Sequence, residues 1–214
     1  MSRYLKKAIT CKCCGNEYQG DVLMGFTTDR NVMDLDTNPH EPAVYDQIIQ
    51  CPKCGYSALG YSKDVDEKTK ELVGSEEYQA ILQSNEGDRI TPKLTCAALI
   101  AEKQKDYRAA SYFALLQLWH LKEINADGSK QIEVRGKAIG YFEEYLTYNL
   151  DVNAAMIMID LLRQAKRFDD AMETVCSLES YITKNEPLKK VAAFEKRLIH
   201  EEDYSDHKIG EVDS

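Results

Sequence analysis

The sequence predicts an α+β protein that is mainly α, with a small N-terminal knuckle and β-hairpin domain followed by an all-α domain of helical hairpins. Three observations predict it. Four of the seven cysteines fall in two CxxCG turns within the first 55 residues. Residues 22–28 and 44–50 have strand character and are bounded by Gly, Asp, Asn or Pro. From Thr91 onward, apolar residues recur at helical spacing almost to the end of the chain.

In order along the chain, residues 1–62 form the knuckle domain. Residues 63–92 are polar and charged, and read as a connector with short helical turns near 66–73 and 76–83. Residues 93–203 are the helical domain, and 204–214 an acidic tail expected to fray. Thr91-Pro92 is the expected start of the first long helix, with Thr as cap and Pro at the first helical position. Leu94, Ala97, Ala98 and Ala101 follow at helical spacing. The second helix carries Ala110, Phe113, Ala114, Leu118 and Leu121 on one face. Leu115, Leu116 and Trp119 occupy its other faces, so it should pack on more than one side. The loop from Asn125 to Ser129 ends it. A third helix presents Ala138, Ile139, Phe142, Tyr145 and Leu146, and Asp151 caps a fourth with Val152, Ala155, Met156, Ile159 and Leu162. The fifth runs from Phe168 through Ile182, and Asn185-Glu-Pro187 separates it from a sixth bearing Leu188, Val191, Ala192, Leu198 and Ile199.

The helical part shows one internal similarity. Lys105-Asp-Tyr-Arg-Ala-Ala110 and Lys166-Arg-Phe-Asp-Asp-Ala171 match in character at an offset of 61. A polar turn leads to an aromatic and, three residues later, to an alanine that lets antiparallel helices approach closely. The pattern resembles the helix-turn-helix unit of tetratricopeptide repeats. The offset is nearly twice the usual period of about 34 residues, so divergent repeats are expected, with an ordinary helical bundle as the alternative.

Chemistry concentrates in the two cysteine turns, Cys11-Lys-Cys-Cys14-Gly15 and Cys51-Pro-Lys-Cys54-Gly55. Thiols at i and i+3 turn toward one ion while backbone amides face the sulfurs, and the following Gly closes the turn at positive φ. Two such turns make a tetrahedral set of four thiolates: Cys11, Cys14, Cys51 and Cys54. One structural zinc ion is the expected cofactor, because four cysteines leave no coordination position for water. Around Zn²⁺ the set carries a formal charge of −2, to be offset by amide dipoles and by Lys12 and Lys53. A single iron in the same cage, as in rubredoxin, is the alternative, and thiol–disulfide exchange is a weaker one. The 36 residues between the pairs are no obstacle, since loop-closure entropy costs only about 0.6 kcal/mol per doubling of length. Cys13 adjoins the first turn, but only Cys11 and Cys14 reproduce the spacing of Cys51 and Cys54.

Composition excludes several classes. No apolar run approaches the length of a membrane span, and the N-terminus lacks the apolar stretch of a secretory signal, so the cytoplasm is the expected compartment. An odd number of clustered cysteines fits metal ligation in a reducing compartment better than disulfides. Residues 1–62 carry 6 Lys+Arg against 7 Asp+Glu, and residues 63–214 carry 21 against 29. An acidic helical half argues against nucleic acid and favours a basic partner. No phosphate loop, dinucleotide fingerprint, HExxH or GxSxG occurs. Cys96 and Cys176 read as small core residues, and His120 as a surface or partly packed residue. His200 and His207, beside Glu201, Glu202 and Asp203, read as a solvated acidic end. His40 lies in a loop near an already filled site. Asp29, Asp34 and Asp36 are read as turn and capping groups, with an interdomain catalytic site as the alternative.

The run Tyr45-Asp-Gln-Ile-Ile-Gln-Cys51-Pro-Lys-Cys54-Gly-Tyr-Ser-Ala58, the first turn Cys11 to Gly15, and Asp34-Leu-Asp36 followed by Asn38-Pro39 resemble the DUF2225 family of bacterial zinc-knuckle proteins. The first 60 or so residues carry this resemblance, and Cys13 departs from the pattern. The resemblance implies zinc and a tetratricopeptide-like helical region but no activity. The sequence therefore leads to a non-enzymatic interaction protein, its helical domain binding another protein or a peptide, with no membrane or nucleic acid among its partners.

Overall fold

In the computed structural model, which describes residues 3–25, 42–60, 64–84 and 87–213, each CxxCG turn is the tip of an antiparallel hairpin. Strands β1 (Arg3–Thr10) and β2 (Glu17–Gly25) pair with Thr10 opposite Glu17, leaving the first turn between them. Strands β3 (Ile49–Gln50) and β4 (Ser57–Ala58) pair with Gln50 opposite Ser57, enclosing the second.

The strand expectations are corrected in two ways. Residues 22–25 of the segment at 22–28 belong to a strand that begins earlier, at Glu17, while 26–28 lie outside the described residues; the partner strand β1 was unforeseen. Every residue of β1 except Ile9 is exposed, so no apolar alternation marks it. The segment at 44–50 is mostly a 3-10 helix, Pro42–Gln47, and only its last two residues are strand. Ala43, Val44 and Tyr45 are all buried in succession. A strand sends neighbouring side chains to opposite faces, whereas a tight turn docked in a pocket can bury all three.

The connector does form helices, α1 (Glu67–Gly74) and α2 (Glu76–Gln83). Asp66 accepts from the Thr69 amide and Ser75 from the Tyr78 amide. These helices are more than a spacer. Val73 and Tyr78 join Cys11, Cys51, Tyr56, Cys96 and Ile100 in one buried cluster, which binds the knuckles to the first long helix.

Six long helices follow: α3 (Ile90–Lys103), α4 (Tyr107–Glu123), α5 (Gly128–Tyr148), α6 (Val152–Gln164), α7 (Phe168–Ile182) and α8 (Glu186–His200). Asp106, Asp127, Asp151 and Asn185 cap α4, α5, α6 and α8. The start of α3 differs from expectation. Asp88 Oδ1, not Thr91, accepts from the Ile90 and Thr91 amides at 2.8 and 3.2 Å, and Pro92 stands third in the helix. Helix α4 packs against both α3 and α5 with residues 113–121 buried without a break, as its all-round apolarity requires.

The internal similarity corresponds to one local geometry. Lys105 and Lys166 both adopt positive φ, 57° and 61°. After each, an amide returns to a carbonyl five residues back, Asp106 to Ala101 at 2.8 Å and Arg167 to Leu162 at 2.9 Å. Ala110 and Ala171 are both wholly buried at the helix–helix contact that follows. The same C-terminal turn recurs at Asn125 and Glu202.

The acidic tail lies against the helical domain instead of standing free of it. Arg163 Nη1 donates to the carbonyls of Asp203 and Ser205 at 2.7 and 2.9 Å, and Val212 packs against the main core. Among the described residues no helix is long and apolar enough to cross a membrane.

Candidate metal centre

The two hairpin tips are built alike. In the first, the Cys11 amide donates to Asn16 O and the Gly15 amide to Cys11 O, both at 2.8 Å. In the second, Cys51 donates to Tyr56 O and Gly55 to Cys51 O, both at 2.9 Å. Gly15 and Gly55 lie at φ 70° and 78°, the left-handed turn expected of a residue without Cβ. The two tips face each other and bring together the four predicted cysteines. Cys11 Sγ stands 3.7 Å from Cys54 Sγ and Cys14 Sγ 3.8 Å from Cys51 Sγ, with all four sulfurs within 4.8 Å of one another. Four sulfurs held about 2.3 Å from a tetrahedral ion stand about 3.8 Å apart, so the set fits one metal ion.

Local electrostatics favour thiolates at a metal. Amides of Cys14 and Cys13 donate to Cys11 Sγ, those of Cys54 and Lys53 to Cys51 Sγ, and that of Tyr56 to Cys54 Sγ. Burial nevertheless pushes the Cys11 thiol up to about 11 and raises Cys54 further. Burial also opposes ionisation of Cys51, but its two amides and the neighbouring thiols hold it below the usual thiol range. Four crowded sulfurs cannot all ionise alone, and a divalent cation reverses this by displacing their protons. Of the lysines expected to offset the charge, Lys12 pairs instead with Asp64 at 3.5 Å, both largely exposed.

Cys13 lies outside the four-sulfur group, half-buried in the same cluster beside Cys54. Cys96 is core, as expected. It is wholly buried, bonded to Tyr78, and pushed up to about 12 by burial. Cys176 is exposed, contrary to expectation, and lies beside Lys196 on α8 rather than in the core. Asp29, Asp34, Asp36 and His40 lie outside the described residues.

Helix α2 braces the second knuckle. Tyr78 Oη donates to Gly55 O at 2.9 Å and Gln79 Nε2 to Cys54 O at 3.1 Å. A Cβ on Gly55 would stand 2.1 Å from Leu82 Cδ1, whereas one on Gly15 would meet nothing within 4 Å. A second tie joins the 3-10 turn to the helices. Tyr45 Oη donates to Glu123 at 2.9 Å, Lys93 Nζ donates to Tyr45 O at 2.7 Å, and the edge of the buried His120 ring meets Tyr45. His120 also bonds Asp88 at 3.0 Å, which corrects the surface reading of this histidine.

One charged cluster escaped the sequence reading. Arg163, wholly buried, pairs with Asp160 at 2.5 Å and with Glu195 at 3.0 Å. An Asp and an Arg three apart in the otherwise apolar run Met-Ile-Met-Ile-Asp160-Leu-Leu-Arg163 were the signal available. His200 is exposed, while His207 is held between Asp203 and Glu211 at 3.1 and 2.8 Å. The chain thus contains a four-cysteine group able to hold a metal ion, set on a mainly helical fold; no family model, no curated protein and no solved structure matches it.

Proposed function

We propose that this chain is a zinc-stabilised interaction module of the cytoplasm, related to the DUF2225 proteins, with no catalytic role. The observation that carries the reading is the sulfur tetrahedron formed by two distant turns, whose four ligands leave no open position for substrate or water. Soft thiolate donors in a closed cage suit zinc, and the run from 45 to 58 supports the family. The ion has a mechanical consequence. It clamps two short hairpins, and α2 and α3 pack on the clamped pair. The helical hairpins then present a surface for a protein or peptide segment, which is how stacked helix pairs are generally used.

Mass spectrometry of the native protein tests the metal: one zinc per chain is expected, and stoichiometric iron in a coloured preparation overturns it. Cys51→Ser with Cys54→Ser should abolish metal binding, whereas Cys13→Ser should keep the stoichiometry at one. Affinity capture with the full chain tests the interaction role, and recovery of a small-molecule turnover with no protein partner overturns it.

A further inference from the structure

Past Glu202 the chain leaves α8 and crosses the helical domain as a strap, residues 203–213. The strap is held chiefly by cations. Arg163 of α6 bonds the carbonyls of Asp203 and Ser205, two residues apart, as neighbours on one side of an extended segment would be. Lys122 of α4 donates to the Asp206 carboxylate and, at 3.0 Å, to Gln164 Oε1. Lys166, in the turn between α6 and α7, lies 3.9 Å from the ring centroid of Tyr204. The His207 ring meets Phe194 of α8 edge-on at 5.5 Å. These partners come from α4, α6, α8 and one turn, so the receiving surface exists independently of the strap.

Among the described side chains the strap's apolar anchorage is slight and lies in its closing 3-10 turn, Ile209–Asp213, which packs on α8. Tyr204 is 55% exposed, Ser205 and Asp206 are exposed, and Val212 is only partly buried. A segment held this way belongs to the low-stability end of a fold and opens readily. Opening empties both Arg163 Nη1 donors in a buried position, which is costly until other acceptors fill them. The site therefore favours exchange of one segment for another over simple release.

We propose that the strap is a ligand bound in cis, occupying a peptide site on the helical domain that takes, in trans, an extended acidic segment of a partner protein. The segment supplies two carbonyls two residues apart to Arg163, an aromatic between them to Lys166, and a following carboxylate to Lys122. This proposal rests on the interaction-module reading and specifies its site. The overall charge of −9 favours a basic partner, but at this one spot Lys122, Arg135, Arg163 and Lys166 outnumber Asp160 and Glu195, so its ligand is acidic.

The test uses the full chain, metal-loaded, and a fluorescent peptide copying residues 203–213. Tyr204→Ala with Asp206→Asn weakens the strap without touching a helix. It should bind the peptide about tenfold more tightly than the parent, because the competing closed state is depopulated. Adding Lys122→Ala should remove that gain, and a peptide with Asp206 replaced by Lys should bind neither protein. Equal affinities, no binding by either protein with unchanged melting, or unfolding of the strap-weakened variant each overturn the proposal. A partner captured equally by parent and strap-weakened variant would also sink the strap site while leaving the module reading intact.

Discussion

Gly15 and Gly55 occupy the same place in two matching turns, yet their surroundings differ. Both need positive φ, which costs an L-residue about 1–2 kcal/mol. Only Gly55 also faces Leu82, so any Cβ there must displace a packed side chain at about 1–3 kcal/mol more. Gly55→Ala should therefore lower the melting temperature of the metal-loaded protein clearly more than Gly15→Ala, as calorimetry will show. At the other end of the chain, burial and then the Asp160 charge lift the Glu195 carboxyl from 4.5 to about 8 against the pull of Arg163. The folded state thus holds a proton that the unfolded chain releases near pH 4.5. The stability linked to it is fully present below that pH and is lost as pH rises through about 8. Asp160, raised by the same burial, acts in the same direction. Melting temperature should fall from roughly pH 5 to 8 and level off above, with a slope of up to about 1.4 kcal/mol per unit for one proton, and Glu195→Gln should flatten the profile.

Elements show where local chemistry speaks for itself and where it does not. The turns at Lys105 and Lys166 hold side-chain-bearing residues in a conformation suited to glycine. Lys105→Gly should stabilise the fold by about 0.5–1 kcal/mol, since relief of left-handed strain exceeds the added chain entropy, whereas Lys166→Gly gives up the Tyr204 contact as well and should gain less. Denaturant titration measures this, and a loss of stability at both sites would refute it. The helices were legible because each carries an apolar stripe at helical period and nearly all have a polar cap ahead of them. Strand β1 was not, because an exposed ribbon needs no apolar face to mark it. The 3-10 turn at Pro42–Gln47 was misread for a different reason. Val44, Tyr45 and Ile48 suit strands by type, but they are recruited into the helical core, a demand invisible within the segment itself.

At the scale of the molecule, two buried clusters share the work. The larger spans the helices and draws in the 3-10 turn, while the smaller joins the cysteine turns to α1, α2 and α3. Chelation should therefore unfold the hairpins and loosen α1 and α2 while far-UV circular dichroism keeps most of its helical signal, and a single cooperative loss of all structure would contradict this. The sequence alone determined which four cysteines come together, the sign of their turns and the number of long helices, because thiol spacing, glycine and apolar period are written within a few residues of one another. Tertiary structure decided the rest. Only packing could set α2 upon Gly55, bury Arg163 between Asp160 and Glu195, and draw the acidic tail across α6, since each depends on residues more than twenty positions apart meeting in space.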